Sequence, residues 1–203
     1  MGYIIPVLMG YLLGSSNLAY YISRYQKKDI RAGGTGNLGA SNATVLLGWK
    51  AGVSVAIHDI AKAALSVLLA KLLFPELELA GPAAGVAAVY GHIFPFYLRF
   101  RGGKGLASFW GMTMALNWKL GLAAGIVIVL ATIITDYIVI GTFSTIALVP
   151  VCTGIITRNL ALTAIILAAS LVIFYKHWEN IGRLIRKEEI GLRSTIRGDK
   201  RMK

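Results

Sequence analysis

The sequence predicts an all-α integral membrane protein with about seven transmembrane helices, some short or broken, N-terminus outside and C-terminus cytoplasmic. Three observations carry that expectation. Of 203 residues, 56% are hydrophobic and only 15% are charged, less charge than a soluble domain of this length carries. The apolar residues form long blocks rich in Gly and Ala, with a mean hydropathy of +0.67. Several blocks approach the ~20 residues that a helix needs to cross a hydrocarbon core. Lys and Arg, which bring the net charge to +12, collect in three stretches at 24–50, 99–104 and 176–203.

The elements follow in order. A first span is expected at 3–23, with positive charge after it rather than before it, unlike a cleaved signal peptide. The second, 51–74, carries His58, Asp59 and Lys62. The third, 83–98, and fourth, 105–117, are short for straight crossings, and Gly91-His92-Ile93-Phe94-Pro95 marks an irregular break. The fifth, sixth and seventh fall at 118–135, 137–157 and 159–175. The acidic loop PELELAGP at 75–82 goes outside, and the three basic stretches go to the cytoplasm. The whole chain reads as one domain, with a basic cytoplasmic tail at 186–203 whose end is expected to lack order. The lone Cys152 lies in an apolar span, which leaves no intrachain disulfide or cysteine metal site. The charge is assigned to membrane lipid and anionic substrates and not to nucleic acid.

Gly34-Thr35-Gly36-Asn37-Leu38-Gly39 spells the dinucleotide fingerprint G-x-G-x-x-G. The fingerprint needs a strand before it and a helix of a βαβ unit after it. Here a membrane span and the basic segment RYQKKDIRA precede it. Asp59 imitates the ribose-binding acid but lies inside a span. The glycines still permit close backbone approach. Thr35, Asn37, Ser41 and Asn42, beside Arg31, add donors at the expected start of a helix, which suits a phosphate.

A second cluster, Gly102-Gly103-Lys104-Gly105, precedes another apolar run. Leu98 stands where a P-loop requires Gly, so this is a separate basic anion site at a helix N-terminus. His92, at the break, is assigned to satisfying backbone groups that Pro95 frees. In the third cluster, FYKHWENIGRL at 174–184, His177 and Asn180 share one helical face, where both reach the same small polar molecule. Asp59 and Lys62, three apart in the second span, read as a structural ion pair, and His58 points elsewhere. Asp136 reads as a loop residue between spans.

Taken together these clusters resemble the PlsY family, bacterial membrane acyltransferases that use acyl phosphate. Its first motif is similar to Asp29-Ile30-Arg31 through Asn42, its second to Gly91 through Ser108, and its third to Lys176 through Leu184. A D-x-x-K pair is matched by Asp59 and Lys62. The resemblance implies transfer of an acyl chain from acyl phosphate to the sn-1 hydroxyl of glycerol 3-phosphate. It implies Lys104, His177 and Asn180 as catalytic residues. Substrate binding falls to Arg31, Thr35, Gly36, Asn37, Gly39, Ser41, Asn42, Gly102, Gly103 and Thr142. No cofactor and no metal are implied, and the chain is read as a monomer. Three departures fall on the acceptor side. Val45 stands where the family usually has Arg, Asp136-Tyr137-Ile138-Val139 where it tends to have Arg-Tyr-x-Ser, and Thr142 in place of a later Ser. The alternatives are a different phosphorylated polyol as acceptor, or a small phosphate transporter.

Overall fold

The computed structural model describes residues 2–197, with side chains through Ser194. Residues 198–203, the end of the tail, lie outside the described part. Eleven α-helices run along the described chain: α1 (Ile4–Ser15), α2 (Leu18–Tyr25), α3 (Ala40–Leu47), α4 (Trp49–Leu73), α5 (Ala80–Ile93), α6 (Leu106–Leu116), α7 (Trp118–Thr135), α8 (Ile138–Thr157), α9 (Leu160–Lys176), α10 (Trp178–Ile185) and α11 (Leu192–Arg197). Three of them, α4, α7 and α8, are long and apolar enough to cross a membrane, and the bent pair α9–α10 makes a fourth candidate. The chain falls into two compact units, one ending at Asn117 and one beginning at Trp118.

In the first unit α1 packs on α5 through small residues. A side chain on Gly10 or Gly14 would run into the backbone carbonyl of Ala84 or Ala88, and one on Gly91 into that of Tyr11. Such contact lets the two backbones nearly touch, the packing that lipid-embedded helices use in place of a hydrophobic force. Gly111 of α6 approaches the Ile60 carbonyl of α4 in the same manner.

The first apolar run is not one helix. It breaks at Ser16–Asn17, where Asn17 is extended and its side chain caps α2 by accepting from Tyr20 N–H at 2.9 Å. The freed carbonyls find donors from later segments. Lys62 Nζ donates to Ser16 O at 2.7 Å, and Tyr97 Oη donates to Ser15 O at 2.9 Å. A polar side chain therefore does at this break what water does outside a membrane. α5 stops at Ile93, as Gly91–Pro95 led us to expect, and α6 has 11 residues.

In the second unit α7, α8 and α9 pack in succession, with Phe143 of α8 against Phe174 of α9 at 5.5 Å between ring centroids. α9 and α10 meet at His177 with a 47° bend. The continuous helix expected across 174–184 is thus interrupted at the histidine itself. Asp136 is more than a loop residue: its carboxylate accepts from Arg193 N–H at 2.8 Å and its carbonyl from Leu192 N–H at 2.7 Å. The start of the tail is tied down there.

Candidate active site

The glycine-rich loop of the first unit is built around Asn42. That side chain is 1% exposed and sits in the first turn of α3. Its amide donates to Ile30 O at 2.8 Å and to Asn37 O at 2.9 Å, and its Oδ1 accepts from Thr35 N–H at 2.9 Å. Asn37 closes the rest: Nδ2 donates to Thr35 Oγ1 at 2.7 Å and Oδ1 accepts from Gly39 N–H at 2.9 Å. Gly34 has φ +58° and faces Asn42 Oδ1 so closely that any side chain would collide. Leu38, fully buried, pins the loop to Ala19, Ile30, Ala43 and Val55.

These bonds change the division of labour. The Asn37 and Asn42 amides shape the loop rather than pointing out to an anion. What the loop offers outward is the half-buried Thr35 hydroxyl, which accepts from Asn37 and keeps its own O–H to donate, and the exposed Ser41. The leading N–H groups of α3 join them, since a helix leaves its first donors without intrahelical partners. Arg31 is exposed, beside Asp29 at 3.6 Å.

The second loop returns along the end of α5. Pro95 stops the helix, Arg99 and Phe100 take left-handed backbone (φ 54° and 58°), and the chain reverses. Gly102 N–H then donates to Ile93 O at 3.0 Å and Gly103 N–H to His92 O at 3.1 Å. The carbonyls freed at this break are satisfied by these glycines, so the His92 side chain has a different task from the expected one. Its Nδ1 lies 3.0 Å from Lys62 Nζ and 3.2 Å from Asp59 Oδ1. Lys62 in turn lies 2.7 Å from Asp59 Oδ1. Lys62 Nζ thus stands within hydrogen-bond reach of Ser16 O, Asp59 Oδ1 and His92 Nδ1, and the Nε2 edge of the His92 ring faces Gly103. His58 does not point away: its Nδ1 is 3.5 Å from Asp59 Oδ1 and its Nε2 is 3.1 Å from Ser16 Oγ.

The two glycine loops meet directly, Leu38 N–H donating to Gly102 O at 3.4 Å. Lys104 is half-buried between Gly103 and Gly105, the latter opening α6 at φ +99°. A lysine and the leading N–H groups of α3 thus stand in one unit, groups of the kind that stabilise phosphate charge.

In the second unit His177 is buried and its Nδ1 donates to Ile173 O at 2.8 Å. A carbonyl only accepts, so Nδ1 carries the proton in that bond. Phe143 packs against the ring at 6.1 Å. Asn180, also buried, donates from Nδ2 to Glu189 Oε1 at 2.6 Å, and Arg183 Nε donates to Glu189 Oε2 at 2.7 Å. Glu189 is absent from the sequence-derived set because it sits in a segment read as polar tail. A carboxylate amid basic residues was the available signal. Thr142 is 1% exposed and its hydroxyl donates to Ile138 O at 3.0 Å, within its own helix. Among the described residues, no three His, Cys, Asp or Glu side chains are arranged to hold a metal ion.

Comparison with known proteins gives one answer. The protein family described as Glycerol-3-phosphate acyltransferase matches residues 4–187. Glycerol-3-phosphate acyltransferase 1 of Oceanobacillus iheyensis is 36% identical over 203 residues, covering 97% of this chain and 98% of its own. The Glycerol-3-phosphate acyltransferase of Shouchella clausii is 39% identical over 192 residues, covering 92% and 94%. The crystal structure of PlsY, an integral membrane glycerol 3-phosphate acyltransferase, in its glycerol 3-phosphate form, superposes with a TM-score of 0.91 at 26% identity. That match covers 98% of this chain and all of the other. The lysophosphatidic acid form gives 0.85 at 27% identity, over 94% and 95%.

Proposed function

This chain belongs to the glycerol-3-phosphate acyltransferase family, and from that premise we propose that it moves an acyl chain from acyl phosphate to the sn-1 hydroxyl of glycerol 3-phosphate. The products are 1-acyl-glycerol 3-phosphate and inorganic phosphate. Glycerol 3-phosphate and lysophosphatidic acid, the ligand forms of the PlsY structures, are this acceptor and this product.

The protein acts as an integral membrane enzyme with seven spans: α1 with α2, then α4, α5, α6, α7, α8 and α9. Its N-terminus lies outside and its C-terminus in the cytoplasm. The asymmetry of Lys and Arg supports this placement and puts the three polar clusters at the cytoplasmic face.

The observation that carries the mechanism is the joining of the two glycine loops at Leu38 and Gly102. The Thr35 and Ser41 hydroxyls and the leading N–H groups of α3, with Arg31 beside them, grip the donor phosphate, Gly36 and Gly39 let the backbone come close to it, and Asn37 and Asn42 keep that cradle in shape. Gly102 and Gly103 bring backbone close to phosphate oxygen, and Lys104 neutralises the charge as it grows on the leaving group. The acceptor hydroxyl attacks the acyl carbonyl carbon, the carbon–oxygen bond to phosphate breaks, and the hydroxyl proton passes to His177 Nε2. General-base assistance of this kind contributes roughly 10²–10⁴ in rate. Asn180 orients the acceptor, and Thr142 lines the same subsite. The transfer is direct in this reading, with no acyl-enzyme formed.

The test uses purified protein with palmitoyl phosphate and glycerol 3-phosphate, following lysophosphatidate by mass and phosphate by colour. Wild type makes both products in equal amount, and Lys104→Ala and His177→Ala make neither at a comparable rate. Phosphate release without lysophosphatidate would retire glycerol 3-phosphate as the acceptor.

A further inference from the structure

We propose that a cavity of about 520 Å³ beside the C-terminal end of α2 binds the phosphate of an anionic glycerophospholipid. Arg24, Lys27, Lys28 and Arg31 line it, together with Asp29 and Tyr20. Four cations face one carboxylate, and that carboxylate is engaged: Asp29 Oδ1 accepts from Arg31 N–H at 3.0 Å and lies 3.6 Å from Arg31 Nε. Like charges gathered on a concave wall raise the potential that an anion meets there.

The hollow is a built feature. The chain reverses around Ser23, which is buried and whose hydroxyl donates to the Lys28 carbonyl and accepts from Ile30 N–H at 3.2 Å. Lys28 N–H donates back to Ser23 O at 3.0 Å, and Lys27 takes left-handed backbone at φ 52°. These bonds use backbone and serine only. The cationic side chains are presented by a turn that is fixed without them, the preorganisation that favours binding.

The occupant is a membrane lipid because of what surrounds the hollow. Tyr21 and Tyr25, 45% and 89% exposed, stand on the same helix end. Aromatic rings at the end of a span settle at headgroup depth, and basic residues beside a span hold anionic headgroups. This inference rests on the cytoplasmic placement of residues 24–50 proposed above.

The cavity adjoins the donor loop and shares Arg31 with it, while nothing from Gly33 to Asn42 lines it. The two share a hinge point: Ile30, in its wall, accepts the Asn42 amide at 2.8 Å. A headgroup that orders this wall therefore also steadies the segment from which the donor loop hangs.

Native mass spectrometry of the full chain, with phosphatidylglycerol and phosphatidylcholine as probes, tests the assignment. Wild type retains phosphatidylglycerol over phosphatidylcholine, and Arg24→Gln/Lys28→Gln loses that preference by about tenfold. Excess inorganic phosphate leaves the bound lipid in place. Turnover in phosphatidylcholine nanodiscs is the same for both proteins, which shows that the variant is folded. Lys27→Gln gives a smaller loss and serves if the double variant is unstable. No lipid preference in wild type, or the same preference in the variants, would overturn the site. Displacement by inorganic phosphate would overturn the lipid as its source. Retention is read without catalysis, so it stands or falls apart from the acyl transfer proposed above.

Discussion

The ring of His92 is packed against Gly103. The His92 carbonyl accepts from Gly103 N–H at 3.1 Å, and a methyl group on Gly103 would overlap the ring at Nε2. Gly103 is next to Lys104, so a single glycine separates the buried cluster of Asp59, Lys62 and His92 from the lysine proposed to neutralise phosphate.

Gly103→Ala is therefore expected to displace the lysine loop. Overpacking of this kind costs about 1–3 kcal/mol, and a shift of about 1 Å in a positioned group lowers turnover on the order of 10²-fold. Steady-state kinetics beside a thermal melt separates the two effects. A variant with normal turnover would show that the loop position is set elsewhere.

Lys62→Met strands the Asp59 carboxylate and the Ser16 carbonyl together. Removing one partner of a buried pair costs about 3–5 kcal/mol, whereas replacing both by apolar groups is often tolerated. The single variant should lose more stability than Asp59→Leu/Lys62→Met. Unfolding in detergent measures the order, and a double variant less stable than the single one would count against this account.

Asn42→Ala leaves Thr35 N–H, Ile30 O and Asn37 O without their shared partner. An unsatisfied buried polar group costs about 1–3 kcal/mol. KM for acyl phosphate should rise while KM for glycerol 3-phosphate changes little, because the loop is assigned to the donor. Varying each substrate in turn gives the comparison.

Glu189→Ala should lower turnover with glycerol 3-phosphate, since Asn180 and Arg183 both lose the carboxylate that holds them. Gly191→Ala is expected to produce a weaker form of the same defect. A side chain there runs into the Asp136 carboxylate, which anchors the segment that delivers Glu189. Equal rates for Gly191→Ala and wild type would show that Asp136 does not hold that segment in place.

What the sequence made legible was local. Hydropathy runs located α4, α7, α8 and α9 to within a residue or two, because a helix in lipid must be apolar along its own length. Glycine and basic patterns marked the two phosphate-suited loops, and the order of motifs pointed to the family. What stayed hidden depends on partners far along the chain. The break at Ser16 is stabilised by Lys62 and Tyr97, 46 and 82 residues from the carbonyls they serve. Asn42 looks like a ligand in sequence, and only Ile30, Asn37 and Thr35 around it reveal a brace. His58 appeared to point away from Asp59 because an ideal helix puts adjacent residues on different faces, yet the ring is long enough to reach back. Glu189 was passed over because charge in a tail usually means solvent.

The break between α1 and α2 has a consequence for how the chain is made. Its carbonyls at Ser15 and Ser16 are answered by Tyr97 and Lys62. During synthesis those donors emerge later, so the leading segment enters the bilayer with a defect that its own sequence does not repair. It reaches its final bonding only when the second span and then the return loop after α5 have arrived. Closure of the Ser15–Ser16 break therefore comes after α4 and the return loop have been made, however early the segment itself is laid down.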